Sequence, residues 1–274
     1  MKRYITLFLA FALLSACEYK EEAIFKKEAS DRTSTTLDTY KKIIESYDGY
    51  WLLSYYPGVS RSFGGFPVAP RSIGGYSFVL KFKDGKVKAS SEVRPTNAEE
   101  ESYYTYSNTE GPTLSFDTFN SVLDHFRFVS PVFTNARGGD IEFIFLKEEN
   151  GVLTLRGRTS NNLMTLTKLT SDREAFLTKL RENTQVLKGK GLSPITIQGT
   201  EVKLTHFPSY RQLVFSYEGQ TLQRAFSLTE KGIKLYEPAE IKGVTFDELY
   251  FNDDKTALTT PDGAISTALV PCPI

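Results

Sequence analysis

The feature that most constrains this chain is a strict alternation, in which Tyr76, Phe78, Leu80 and Phe82 are interleaved with Ser77, Val79 and Lys81 and followed at once by Asp84-Gly85. A period of two places the four large apolar side chains on one face of a strand. Asp-Gly supplies two residues that tolerate the left-handed region needed by a two-residue hairpin, so the strand should turn directly into Val87–Val93. Similar units follow. Ser102–Tyr106 and Thr113–Phe116 read as strands joined through Glu110-Gly111-Pro112, Ile141–Lys147 and Val152–Arg158 pair around Asn150-Gly151, and Leu163–Leu169 closes the series. Strand after strand without intervening helices describes an antiparallel meander and excludes a β-α-β alternation.

A second series runs through Ile195–Ile197, Glu201–Phe207, Arg211–Tyr217, Thr221–Leu228 and Ile233–Tyr236, with turns at Glu218-Gly219 and Lys231-Gly232, and ends with the pair Thr245–Phe251 and Thr256–Thr260. Each series is preceded by a stretch of helical spacing. In the first, Leu37, Tyr40, Ile44 and Tyr47 share one stripe, Ser30 or Asp31 can cap the start, and Asp48-Gly49 can end it. In the second, Ser171-Asp172-Arg173-Glu174 reads as a capping box before Phe176, Leu177, Leu180 and Leu187, with a stop near Gly189-Lys190-Gly191. Between the first helix and the Tyr76 strand, Tyr50–Tyr56 is rich in strand formers, and residues 57–75 form a long loop rich in glycine and proline. Asn120–Phe128 reads as a short helical turn. The expected fold is therefore mainly β with minor α: antiparallel meanders curved into a barrel-like or sandwich unit, one helix preceding each half.

The first residues carry a different message. Met1-Lys2-Arg3 is basic, Tyr4–Leu14 is an apolar run too short for a permanent membrane span, and Leu14-Ser15-Ala16-Cys17 closes it in the manner of a bacterial lipobox. Residues 1–16 are thus expected to be a lipoprotein signal peptide, with Cys17 lipidated and 17–30 a polar tether. Helix and meander occupy 31–169 and again 171–260, the second packed with the first, and 261–274 is left as a C-terminal tail. The expected location is the outer membrane, anchored by lipid and exposed at the cell surface, with the bilayer reached through Cys17 alone.

Charge and cysteine content narrow the partners. Lys2 and Arg3 leave with the signal, so 33 basic residues become 31 against 33 acidic ones, a net charge of −2. Nucleic acid is not expected, since no basic excess exists to neutralise phosphates. Cys17 and Cys272 are the two cysteines, and a lipidated Cys17 leaves Cys272 as a bystander or the donor of an intermolecular disulfide.

Chemistry finds little support. The two histidines, His125 and His206, fall on different elements, which disfavours a histidine-based zinc site. Asp117, Asp124, His125, Asp140 and Glu142 are the densest group of ligand types. Asp117 and Asp140 suit a calcium site with loop carbonyls, or Asp117 caps the turn that begins at Asn120. No nucleophile elbow, phosphate loop or dinucleotide fingerprint is present, so no catalytic residue, metal ligand or cofactor is assigned. Aromatics say more, with 15 Tyr, 20 Phe and one Trp. Trp51, Tyr55 and Tyr56 precede the glycine-rich loop carrying Phe63 and Phe66, and these five form either a ligand-binding platform or ordinary core.

Several segments in order carry a resemblance: Tyr50-Trp51 with Tyr55-Tyr56-Pro57, Gly74-Gly75-Tyr76, Phe116-Asp117-Thr118-Phe119-Asn120 with Val122-Leu123 and His125-Phe126, Gly138-Gly139-Asp140-Ile141-Glu142-Phe143, and Gly232-Ile233 with Tyr236-Glu237-Pro238. Together they resemble a family of Bacteroidetes lipoproteins known only as a domain of unknown function. The resemblance implies a surface or periplasmic lipoprotein associated with outer-membrane nutrient uptake, and no activity. The expected function is a non-enzymatic binding or accessory protein whose partner is a glycan or an outer-membrane transport protein. A glycan-active hydrolase using two carboxylates and a protein-binding adhesin-like module are the alternatives.

Overall fold

A computed structural model describes residues 29–58, 74–108, 110–128, 138–208 and 210–271. Helix α1 (Ala29–Glu45) leads into eight strands, β1 (Trp51–Tyr55), β2 (Tyr76–Lys83), β3 (Lys86–Ser91), β4 (Glu100–Ser107), β5 (Thr113–Phe116), β6 (Glu142–Glu149), β7 (Val152–Gly157) and β8 (Leu163–Lys168). Each pairs antiparallel with the next, and β8 returns to β1 with Leu53 opposite Leu166, so the meander closes as a barrel. The side chains of 29–33, among them the expected caps Ser30 and Asp31, lie outside the described residues.

Alternation fixes what the barrel holds. Trp51, Leu53 and Tyr55 of β1, Phe78, Leu80 and Phe82 of β2, and Phe143 and Phe145 of β6 all point inward and are buried. The turns behave as their residues require: Asp84 and Gly85 lie at φ 50° and 75°, Asn150 and Gly151 at 53° and 79°. Two left-handed residues match the twist of the flanking strands. Outside, Lys86 pairs with Glu101 and Lys88 with Glu99 around β3 and β4. An apolar interior under a charged exterior is the reverse of a barrel that spans a bilayer.

Both ends of this barrel are stoppered. At one, Tyr40 of α1 stacks on Phe145 at 4.6 Å, and Trp51 Nε1 donates to the Ile44 carbonyl at 3.3 Å. At the other, a 3-10 turn (Leu123–Phe126) sinks Phe126 between Tyr76, at 4.4 Å, and Tyr55, at 5.9 Å.

Helix α2 (Arg173–Leu187) then opens the second half, with β9 (Lys190–Leu192), β10 (Ile195–Ile197), β11 (Thr200–Phe207), β12 (Gln212–Tyr217), β13 (Gln220–Leu228), β14 (Gly232–Ile241), β15 (Val244–Phe251), β16 (Ala257–Thr259) and β17 (Ser266–Pro271). They form one antiparallel sheet running from β10 through β17 to β9, so its two edges are consecutive in the chain. Phe176, Leu177, Leu180 and Leu187 of α2 join its core.

Four details depart from the sequence reading. The cap of α2 is Asp172, accepting from the Ala175 N–H at 2.9 Å, one residue after the expected Ser171. Helix α2 stops before Gly189 as expected, but Lys190–Leu192, outside the expected strands, forms one because β17 offers it a partner. Much of the expected tail is β17 itself. Strand β14 continues past Tyr236 to Ile241, carrying Pro238 across a register shift between Lys234 and Ala239, where a proline without an N–H is tolerated.

Strand β2 belongs to both halves. Ser77 and Val79, on its outward face, are buried, and Val79 packs within the core of the second sheet. The Gly75 N–H donates to the Phe226 carbonyl of β13 at 2.9 Å, and the Tyr236 hydroxyl accepts from the Leu163 N–H at 2.8 Å.

Candidate functional site

Of the five aromatics read as either a platform or core, the three that are described lie in the core. Trp51, Tyr55 and Tyr56 are all buried: the period of β1 turns the first two into the barrel, and Tyr56 faces the second sheet, its ring 4.3 Å from that of Tyr236. Phe63, Phe66 and Cys17 lie outside the described residues. The Tyr55 hydroxyl accepts from the Asp140 N–H and donates to the Asp140 carbonyl. Burial, reinforced by the Asp140 charge, pushes that hydroxyl well above the usual tyrosine range. Burial also pushes Tyr56 up to about 12, against the hydrogen bond to Ser227. Both are neutral structural hydroxyls at physiological pH.

The acidic residues also separate into local tasks. Asp140 is buried and accepts from the Thr159 and Ser160 N–H groups, Glu142 pairs with Arg158 at 3.1 Å, and Asp117 is exposed. The turn after Asp117 is capped by Asn120 instead, whose Oδ1 accepts from the Val122 and Leu123 N–H groups at 3.0 and 3.2 Å. Asparagine lies within reach of N–H groups two and three residues on, which Asp117 does not. Asp124 accepts from the Asn120 N–H at 2.9 Å and pairs with Arg127 at 3.3 Å. His125 meets the Phe126 ring edge-on at 4.8 Å.

What these bonds build is a rigid pedestal. Asn120 is fully buried, and its Nδ2 donates to the Glu100 carbonyl and the Ser102 hydroxyl, each at 3.1 Å. Glu100 accepts from the Ser121 N–H and hydroxyl, and the Arg94 guanidinium donates to that hydroxyl at 2.9 Å. Below, Val122, Leu123 and Phe126 are held in the barrel.

From this pedestal two rings stand out. Phe119 is 67% exposed and Phe128 52%, with centroids 6.2 Å apart and planes at 41°. The Arg127 guanidinium lies 5.4 Å over Phe128, and Asp117 and Thr118 are exposed beside Phe119. Leaving the two phenylalanines this far in water forgoes roughly half of the about 1.5–3 kcal/mol that full burial of each would contribute. The pair sits at the end of the barrel opposite α1.

A model of one protein family matches residues 21–253, which takes in the barrel, α2 and the second sheet through β15. The chain belongs to the family described as domain of unknown function DUF4302. No curated protein and no solved structure matches it. The DUF4302 match thus includes the seam between the two β units as well as the aromatic end.

At that seam the DUF4302 chain buries a complete ion pair. Glu92 and Arg211 side chains are 1% and 7% exposed, bonded twice at 2.6 and 3.0 Å. Glu92 also accepts from the Ser77 N–H at 2.7 Å, Arg211 donates to the Gly75 carbonyl, and the guanidinium lies 4.2 Å over the Tyr76 ring. Burial alone would lower the Arg211 pKa; the adjacent Glu92 charge outweighs it and raises the value. With every charge matched, this pair joins the units and offers nothing to a substrate.

Proposed function

We propose that this chain is a lipid-anchored, non-enzymatic binding protein of the bacterial outer membrane, tethered through Cys17 and contacting its ligand through the Phe119–Phe128 end of the first barrel. The observation that carries this reading is the exposed ring pair on a hydrogen-bonded support anchored by the buried Asn120: a rigid scaffold positioning an adaptable contact is how binding sites are commonly built. The opposite placement of α1 supports it, because a protein standing on an N-terminal tether then presents the rings outward. The lipobox at Leu14–Cys17 supports a lipoprotein, and Lys20-Glu21-Glu22 close behind it, which resembles the export signals of Bacteroidetes lipoproteins, supports transport to the cell surface.

Cell fractionation of the Cys17→Ser variant tests the anchor. The chain should move from the membrane to the soluble fraction, and retention in the membrane would refute the tether. Protease treatment of intact cells tests the face: degradation of the anchored chain supports surface exposure, and full protection places it on the inner side.

A further inference from the structure

We infer that the Phe119–Phe128 pair is a stacking subsite for a neutral saccharide, an assignment that rests on the binding role proposed above and names its ligand class. The area of the two rings suits a small ligand. A phenylalanine presents about 150–250 Å², so rings 67% and 52% exposed offer on the order of 200 Å² together. A stable protein partner or a second copy needs about 800 Å² on each side. One or two sugar rings fit the smaller figure.

Chemistry points the same way. A pyranose has an apolar face of C–H groups and an edge of hydroxyls that both donate and accept. Two rings tilted by 41° at 6.2 Å make a shallow aromatic cradle for such faces. Around it stand an exposed carboxylate on Asp117, a hydroxyl on Thr118 and the guanidinium of Arg127, which supply acceptors and donors for the edge. Arg127 is already paired with Asp124 at 3.3 Å, and Asp117 is a second negative group, so no net positive charge awaits a polyanion. Because Asn120, Ser121 and Asp124 are held by hydrogen bonds, the backbone that carries the rings is ordered before the ligand arrives.

The test is affinity electrophoresis of the chain from Cys17→Ser onward in native gels cast with amylopectin, xylan, galactomannan or mixed-linkage β-glucan, with heparin as the anionic control. At least one neutral polysaccharide should retard it and heparin should not. Phe119→Ala and Phe128→Ala should each weaken retardation about tenfold or more, melting within about 2 °C of the parent because neither ring is buried. Phe128→Tyr should keep it. Retardation that survives the double alanine variant overturns this site. Retardation by none of the four overturns the saccharide. In that case, self-association or cross-linking to a membrane protein that depends on the two rings leaves the binding face standing with another occupant, and indifference of every assay to the double variant overturns both.

Discussion

Arg211 holds the left-handed backbone at φ 48° while its side chain spans Glu92, Gly75 and the Tyr76 ring. A non-glycine residue keeps that conformation only where its surroundings enforce it. Arg211→Ala strands the Glu92 carboxylate in the interior and should cost about 3–5 kcal/mol in urea unfolding. Arg211→Lys should restore less than half, since an ammonium cannot reproduce the two parallel bonds to a carboxylate. Replacing both partners by Met should remain destabilising here, because the Ser77 N–H and Gly75 carbonyl would lose their partners. A smaller residue is equally constrained. A Cβ on Gly157 would lie 2.5 Å from Asp140 Cγ and 2.7 Å from Ser160 Oγ, so Gly157→Ala should destabilise by about 1–3 kcal/mol. An unchanged melt would mean that the Asp140 turn moves aside freely.

Among elements, legibility followed periodicity. Strands β2, β5, β6, β7 and β10 were readable because a period of two and an X-Gly turn act locally. Strands β9 and β17 were not, since each owes its existence to the other across most of a domain. The ring pair was hidden for a related reason. Phe116 ends β5 facing inward, and nothing in Asp117-Thr118-Phe119 tells a reader that the chain leaves the sheet there and that Asn120, not Phe119, turns down into the barrel. Tyr55 and Trp51 misled because aromatic density looks alike in a core and on a platform. Strand β11 shows a consequence of alternation that carries a measurable signature. His206 follows Val202 and Leu204 on the inward face and packs on Phe226 at 5.6 Å. Burial lowers its pKa to about 4, overriding a Lys190 backbone interaction that works the other way. The unfolded chain takes up this proton below about pH 6.5, whereas the folded one refuses it until about 4. Stability should therefore be insensitive to this group above pH 6.5, fall as pH drops from 6.5 to 4, and level off below, by up to about 3 kcal/mol. His206→Phe removes the titrating group while keeping an aromatic ring. The difference between parent and variant unfolding free energies should carry that slope; a flat difference would mean the ring is hydrated.

At the scale of the whole molecule, the two β units share too much to unfold apart. Val79 is a barrel residue in the other unit's core, Tyr56 hydrogen-bonds Ser227, and Arg173 and Arg181 of α2 donate to Ser90 Oγ at 2.8 Å and to the Glu92 carbonyl at 3.1 Å. Closing the first barrel through β1 and β8 satisfies its own ladder, so its backbone does not require the second sheet. Its side chains do. A chain ending at Leu169 would leave Glu92 without Arg211 and expose Val79 and Tyr56, a charge and an apolar patch at one place. Calorimetry separates the two views. If the units melt together, the 217 described residues should give one peak with a van't Hoff enthalpy of about 150 kcal/mol, equal to the calorimetric value. Independent units would give van't Hoff enthalpies of about half that. One peak is expected for the parent. In Arg211→Ala the ratio of van't Hoff to calorimetric enthalpy should fall below one, because the bond that makes the seam cooperative has been cut while each ladder remains. A ratio that stays at one would show that Val79 and its apolar neighbours couple the units without help from the ion pair.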